Sequence, residues 1–154
     1  MNNETMTAPS EVLPDAPGAY ILDQYLADFS IENPGGRIPA ARAVDLVLGL
    51  DVAVVAAPLI DAPEGSYAIQ IALGMPARLD DQIIFLIELR YRVNVQLQGV
   101  SAEKLPNLLS VQVPHAVFPT LKAIVEQNGA FAGYPDIVLQ PIDFSALVAT
   151  KLQA

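Results

Sequence analysis

The side chains that could perform acid–base or covalent chemistry are few in this 154-residue chain. There is no cysteine, and the one histidine, His115, lies between Pro114 and Ala116, which is more typical of a packed structural residue than of a general base or metal ligand. Adjacent Asp80 and Asp81 are typical of a solvated turn. No nucleophile elbow, phosphate-binding loop or paired-histidine zinc motif is present. We therefore expect no catalytic residue, no metal and no cofactor.

A second set of polar residues has a spacing that suits binding. Asp28 and Glu32 lie four residues apart in an alternating segment, so both side chains project from one face of a predicted strand. Leu86 and Glu88 share one face of another alternating segment. An exposed leucine beside carboxylates suits docking of a basic, partly apolar peptide. The alternative is an ordinary solvated sheet face.

The longest alternating segment, residues 82–98, positions the second of these pairs. Its odd positions are apolar or aromatic, and from Glu88 onward its even positions are polar, which predicts a strand with one buried and one wet face. Its seventeen residues would span about 55 Å, more than the core of one small domain. We therefore expect a second subunit to cover part of the apolar face. The residues predicted for this oligomer interface are Ile87, Leu89 and Tyr91.

Three further alternating segments complete the predicted sheet: residues 25–32, 42–56 and 66–75. In the first of them, Tyr25 and Phe29 are expected to face inward. Because the connections are short, the four strands predict an antiparallel meander.

The hydrophobic period changes to a helical one after residue 100. We predict a short helix that ends at Pro114, a second helix that starts at Pro119 and is closed by Asn128 and Gly129, and a last helix capped by Asp143. The predicted fold class is therefore α+β: a four-stranded antiparallel sheet with helices packed on one side. Residues 1–17 are predicted to be a flexible tail, and residues 18–154 a single domain.

Composition limits the partners and the location. Hydrophobic residues make up 53% of the chain, which predicts that some apolar surface is covered by a partner. The net charge of −9 argues against nucleic acid and favours a basic protein partner. No signal peptide is recognisable, and the most apolar window, residues 43–60, alternates like a strand, so we expect a cytoplasmic protein without membrane insertion.

Several short segments resemble the bacterial export chaperone family SecB. The family has a Pro–x–x–Leu/Val–Phe–Pro helix start, a Gly–x–Phe/Tyr–Pro turn and an L-x-P-[IV]-[ND]-F-x-A-L block, and the similar segments here follow one another in the family's order. The family's tryptophan in the crossover after the first strand has no counterpart in residues 33–41. The similar segments are Asp28–Glu32 (DFSIE), Phe85–Leu89 (FLIEL), Val113–Thr120 (VPHAVFPT), Tyr134–Pro135 and Leu139–Leu147 (LQPIDFSAL).

The resemblance implies an ATP-independent holdase that binds unfolded preproteins in the cytoplasm. It implies that such a protein keeps them competent for translocation and delivers them to the export motor SecA. It also implies a homotetramer, built as a dimer of dimers. An alternative of another class is an acidic oligomeric adaptor on the same fold that recognises one dedicated partner, such as an antitoxin.

The resemblance also assigns roles to residues. Asp28, Glu32, Leu86 and Glu88 match the positions with which the family binds the zinc-containing tail of SecA. Phe85 and Tyr134 match positions that line the client groove, although Phe85, on the apolar face, is equally explained by core packing. Three apolar residues in predicted loops could extend such a groove: Ile38, Leu59 and Ile60.

Overall fold

A computed structural model describes residues 11–12, 16 and 18–153. Six strands in this part of the chain form one antiparallel sheet, and helices follow them. The α+β class is confirmed, with four long strands and two short ones. The strands are β1 (Glu11–Val12), β2 (Ala19–Glu32), β3 (Val47–Leu48), β4 (Asp51–Pro58), β5 (Ser66–Leu79) and β6 (Gln82–Leu97).

The predicted flexible tail contains the first of these strands. Glu11 pairs with Ile21 and Val12 pairs with Tyr20, and Ala16 is fully buried. The prediction of a tail is therefore wrong for these three residues. Its other members, residues 1–10, 13–15 and 17, lie outside the described residues.

The long strand β6 lies in the middle of the sheet, between β2 and β5, while β3 and β4 both pair with β5 at the far side. Strands β4, β5 and β6 follow one another as predicted. Strand β2 lies beside β6 rather than beside β4, so the meander order is wrong for the first long strand. This pairing places Phe29 and Ile31 opposite Leu89 and Ile87, which joins the apolar residues of both strands on one face.

The predicted strand over residues 42–56 is divided in the structure. Ala40–Asp45 forms a 3-10 helix, β3 contains two residues, and β4 starts at Asp51. The break between β3 and β4 lies beside Pro76 of β5, and the N–H of Gly49 donates to the Pro76 carbonyl at 2.8 Å. Because proline has no N–H, it cannot return a ladder hydrogen bond, and the pairing is interrupted there.

An irregularity in β2 changes which side chains face the core. The register with β6 shifts between Leu26 and Asp28, and an extra residue in one strand reverses the facing of the residues before it relative to those after it. Tyr25 therefore lies opposite Arg92 on the wet face and is 45% exposed. The prediction that Tyr25 faces inward is wrong for this reason.

The apolar face of β6 is buried within a single chain. Its odd positions from Phe85 to Val95 are all at most 5% exposed. The prediction of an oligomer interface there is therefore wrong, because the side chains concerned already belong to the core of one subunit. These side chains are Ile87, Leu89 and Tyr91.

The cover over β6 is one continuous helical segment, Leu105–Phe131. It consists of α1 (Leu105–Asn107), a π turn (Leu108–Gln112) and α2 (Val113–Phe131). Its 27 residues extend over about 40 Å, against about 53 Å for the 16 residues of β6. By length and composition the segment could cross a membrane, but a core helix of a soluble protein passes the same test.

Pro114 does not end this segment, contrary to the prediction. In the π turn, the N–H of Val113 donates to the carbonyl of Leu108, five residues back. The N–H that Pro114 lacks therefore falls where regular α-helical bonding is already interrupted. α2 also continues through Pro119 and past Gly129, so both predicted boundaries of the second helix are wrong.

The last helix, α3 (Phe144–Gln153), begins as predicted. Asp143 Oδ1 accepts a hydrogen bond from the Ala146 N–H at 3.1 Å, as an N-cap residue does.

Glu126 joins the segment that follows α2 to the helix by hydrogen bonds. Its carboxylate accepts hydrogen bonds from the ammonium group of Lys122 and, at 3.0 Å, from the Leu139 N–H. The hydrogen bond from Lys122, supported by the one from Leu139, lowers the pKa of Glu126 below its usual 4.5. The ionised form of Glu126 is thus the one that the fold stabilises.

We expect Glu126→Ala to lower the free energy of unfolding by about 1 kcal/mol at pH 7, because two accepted hydrogen bonds are lost. A carboxylate with a lowered pKa stabilises the fold above its unfolded-state pKa, and this contribution is lost as the pH falls through the folded-state pKa. The difference between wild type and variant should therefore shrink below about pH 4.5. Urea titrations at several pH values measure it, with exposed Glu103→Ala as the control; a difference that is constant with pH would contradict the assignment.

Candidate functional site

An apolar groove of about 640 Å³ lies at one end of the sheet. One wall is the crossover segment, residues 33–49, which connects β2 to β4. The other wall is the 133–137 turn, which follows α2. The apolar residues that line the groove include Ile38, Pro39, Leu46, Leu48, Tyr134 and Ile137, and its charged residues are Arg37 and Asp136.

The outer part of the crossover segment is held by ion pairs at the surface. The guanidinium group of Arg42 binds Asp80 at 2.9 Å and Asp45 at 3.2 Å. The hydrogen bond that Arg42 donates to Asp80, followed by the one that it donates to Asp45, raises the pKa of Arg42 above its usual range. The cation thus joins the 3-10 helix of the groove wall to the turn between β5 and β6.

The second wall depends on how α2 ends. Gly133 has a φ of 98°, a left-handed conformation that glycine adopts without a steric penalty. The N–H of Tyr134 donates to the Gly129 carbonyl at 2.9 Å, which closes the turn. The ring of Tyr134 packs on Phe85, with ring centroids 4.7 Å apart and a 45° tilt, and burial raises the pKa of the Tyr134 hydroxyl. The hydroxyl is therefore neutral near pH 7 and can donate a hydrogen bond.

Hydrogen bonds connect the two walls at the base of the groove. The Tyr134 hydroxyl lies 2.6 Å from the Gly36 carbonyl and 3.2 Å from Asn33 Oδ1. Asn33 Nδ2 donates to the Ala132 carbonyl at 3.0 Å. The Gly35 N–H donates to the carbonyl of Ile84, at the start of β6, at 3.1 Å.

The predicted groove residues have different outcomes. Tyr134 and Ile38 line the groove. Phe85 is fully buried behind the Tyr134 ring, so it supports the groove without lining it. Leu59 and Ile60 lie at the Ser66 end of β5, about 35 Å along the strand from the groove, and the structure does not bring them to it.

The four residues predicted to dock a partner lie together on the opposite, wet face of the sheet. Glu32 is directly opposite Leu86, and Ser30 is directly opposite Glu88. Asp28 is opposite Arg90, one step further along the same pair of strands. Because cross-strand partners share a face, the charged side chains and the leucine form one surface, which we call the docking face: Asp28, Glu32, Leu86 and Glu88.

A shallow hollow of about 340 Å³ extends the docking face across the sheet. Glu88 pairs with Gly74, and Gly74 pairs with Asp51 of β4. Since Gly74 has no side chain, the hollow lies between the carboxylates of Glu88 and Asp51, with Asp28 and Arg90 also lining it. Together, the docking face and the hollow carry acids from three strands and one arginine.

Several residues of these sites could not be predicted from the sequence. Asp51 stands on the polar side of an alternating segment, but nothing in a single sequence gives the register that aligns it with Glu88. The crossover wall of the groove could not be predicted, because its residues from 42 onward were assigned to a strand. Asn33 belongs to the crossover after the first strand, and a single sequence does not indicate its partner Ala132, which lies 99 residues away.

The chemistry of the two sites is that of binding. His115 is exposed on α2, and the described residues contain no group of three or more His, Cys, Asp or Glu side chains that could hold a metal ion. An apolar groove on one side of a sheet and an acidic face on the other are surfaces of the kind that suits a protein that binds other polypeptides.

Comparison with known proteins identifies the family. The family model of SecB, described as preprotein translocase subunit SecB, matches residues 14–154. The protein-export protein SecB of Hyphomonas neptunium is 31% identical over 143 residues, which cover 93% of this chain and 84% of that protein. SecB of Sinorhizobium fredii is 32% identical over 138 residues, 89% of this chain and 81% of the relative.

A solved structure has a similar fold. It is the Mycobacterium tuberculosis SecB-like chaperone Rv1957 in complex with a ChAD peptide from the HigA1 antitoxin Rv1956. The TM-score is 0.65 at 14% identity, and the match covers 80% of this chain and 90% of that one. The chain thus belongs to the SecB family, and this membership identifies it as a chaperone of protein export.

The crossover segment requires a glycine where it passes over β6. A Cβ atom at Gly35 would lie 2.7 Å from the Ile84 Cβ, so we expect Gly35→Ala to displace this wall and to lower the free energy of unfolding by about 1–3 kcal/mol. The matched control is Gly36→Asn, because Gly36 has a φ of 59° with no atom within 4 Å of an added Cβ, and asparagine tolerates that conformation. Chemical denaturation measures both variants, and a Gly35→Ala protein as stable as wild type would disprove the close approach.

Proposed function

We propose that this chain is an ATP-independent holdase that binds unfolded precursor proteins in the groove between the crossover segment and the 133–137 turn. The observation that carries the proposal is the groove itself, an apolar cavity of about 640 Å³ open to solvent, in a chain of the SecB family. In this proposal the protein works in the cytoplasm without an enzymatic activity or a cofactor.

The lining of the groove suits recognition of many sequences. Its contact surface consists mainly of aliphatic side chains and proline, which bind apolar groups without fixed polar partners. Arg37 and Asp136 provide one charge of each sign among the lining residues. A segment of unfolded chain rich in apolar side chains fits this combination better than a folded surface, since folded proteins bury such side chains.

The docking face is the proposed site for the motor. It would bind the basic tail of SecA through Asp28, Glu32 and Glu88, with Leu86 as an apolar anchor. Carboxylates speed the arrival of a basic peptide, while a half-buried leucine contributes contact area that salt does not screen. Asp51, across the hollow from Glu88, adds a further acid to the same surface.

The proposed assembly is a homotetramer, a dimer of dimers. Since Ile87, Leu89 and Tyr91 are buried within one chain, the subunit contacts must use other surfaces. Strand β2 carries exposed Leu22 and Leu26, and its outer edge pairs with β1 only at Tyr20 and Ile21 among the described residues. Native mass spectrometry of the full chain counts the subunits.

A second candidate is a chaperone dedicated to one client. The structural neighbour supports it, because that SecB-like protein was solved with a peptide from an antitoxin. The two candidates differ in the number of clients: a general holdase binds many unrelated unfolded chains, and a dedicated one binds a single partner.

We expect the wild-type protein at equimolar amount to slow the aggregation of two unrelated unfolded proteins. Leu48→Asp should raise the dissociation constant for both about tenfold, because it places a carboxylate in the apolar groove. The matched control is Val55→Asp, since Val55 is another exposed β-strand residue and lies outside the groove. Light scattering and fluorescence anisotropy give the two readouts.

The general holdase would be contradicted if the wild-type protein slowed the aggregation of neither client. Protection of one client alone would favour the dedicated chaperone.

For the docking face, we expect Asp28→Lys combined with Glu88→Lys to weaken binding of a basic SecA-tail peptide about fivefold to tenfold at low salt. Binding should also become less sensitive to salt, because fewer opposite charges face the peptide. Client binding in the groove should persist. Titration calorimetry at two salt concentrations measures these effects.

The control for the docking face is Glu64→Lys combined with Glu103→Lys, which changes the net charge equally at exposed positions elsewhere. If the two double variants bind the tail peptide equally well, the docking assignment is wrong.

A further inference from the structure

The two walls of the groove exchange hydrogen bonds at its base. Asn33, in the crossover segment, donates from Nδ2 to the Ala132 carbonyl at 3.0 Å. Tyr134, in the opposite wall, donates from its hydroxyl to the Gly36 carbonyl at 2.6 Å. Each wall thus supplies one donor and one acceptor to the other, across sequence separations of 99 and 98 residues. We call these two bonds the clamp.

The donors and acceptors of the clamp have few alternative hydrogen-bond partners. Ala132 caps the C-terminal end of α2, where the last carbonyl groups have no partner within the helix. The Tyr134 hydroxyl is neutral near pH 7, because burial raises its pKa, and a buried hydroxyl left unpaired is costly. Asn33 also presents Oδ1 to this hydroxyl at 3.2 Å. Removing the Asn33 side chain therefore takes the hydrogen-bond donor away from the Ala132 carbonyl and one acceptor away from the Tyr134 hydroxyl.

The other hydrogen bonds and ion pairs described for the crossover segment lie elsewhere along it. The Arg42 bridge to Asp80 joins side chains that are 43% and 77% exposed, and ion pairs with such exposure contribute little to stability. The Gly35 and Gly49 amides bind β6 and β5 and do not reach the 133–137 turn. Among the described residues, the direct hydrogen-bonded links between the two walls are the half-buried clamp and the contact of the Tyr134 hydroxyl with Asn33 Oδ1.

We propose that Asn33 is a positioning residue that fixes the width of the groove and thereby its selectivity between client side chains of different bulk. The inference rests on the proposed holdase function. Asn33 is not among the residues that line the groove, so it acts through the two walls that it joins. With the clamp intact, aliphatic walls held at one separation favour branched aliphatic side chains; without it, the crossover segment can move outward and admit larger rings.

The experiment uses the full chain and two labelled peptides: one rich in leucine, and the same peptide with each leucine replaced by tryptophan. We expect Asn33→Ala to raise the dissociation constant of the leucine peptide about fivefold, because a released crossover segment must be ordered again when the peptide binds. The tryptophan peptide should change less, so that the ratio of the two constants shifts about threefold. Asn33→Asp keeps an acceptor for Tyr134 but cannot donate to Ala132, so it should shift the ratio equally. This variant serves as the test if Asn33→Ala does not fold.

The matched control is Asn107→Ala, because Asn107 is an exposed asparagine of α1 outside the clamp. If Asn33 had a purely structural role, its variants would bind both peptides more weakly by the same factor, and that outcome would overturn the inference. The inference would also be overturned if the Asn33 variants bound both peptides as tightly as the wild-type protein does. If the wild-type protein binds neither peptide, the holdase proposal itself fails. If it binds both and the ratio stays unchanged in the Asn33 variants, only the clamp inference fails.

Discussion

Burial of the apolar face of β6 is the constraint on which the rest of the structure depends. The strand presents six side chains, at the odd positions from Phe85 to Val95, and all are nearly inaccessible to water. A strand of about 53 Å needs a correspondingly long cover. The helical segment Leu105–Phe131 supplies about 40 Å of it, which is possible only because the π turn carries the helix past Pro114. Beyond the end of the helix, Tyr134 completes the cover by packing on Phe85.

The same strands separate the two proposed binding surfaces. Successive residues of a strand point to opposite faces, so Phe85 supports the floor of the groove while its neighbour Leu86 lies on the docking face. The end of β2 repeats this arrangement: Glu32 belongs to the docking face, and Asn33 belongs to the clamp. A client and a basic tail could therefore be bound at the same time without sharing side chains, which a chaperone that transfers its client to a motor requires.

Much of the sheet could be predicted from the sequence because alternation is a local property. The odd positions of β6 from Phe85 to Val95 are buried as predicted, but Ile83, beyond a register shift, is 44% exposed. The four docking residues do share one face, since no irregularity separates Asp28 from Glu32. Prediction failed where a long-range contact overrides a local rule. The shift between Leu26 and Asp28 reversed the facing of Tyr25, and the helix end predicted at Pro114 lies inside one helical segment, because the π turn continues it. The oligomer interface was predicted from the length of β6, whereas the helical segment and Tyr134 cover its apolar face within one subunit.

Binding of unfolded chains between the crossover segment and the 133–137 turn is the proposal on which the others depend. Hydrogen–deuterium exchange of the full chain, with and without an unfolded polypeptide, tests it most directly. We expect slower exchange at residues 36–48 and 133–137 when the polypeptide is present, with little change on the docking strands at residues 28–32 and 86–90. Slower exchange confined to those docking strands, or no change in either region, would contradict it.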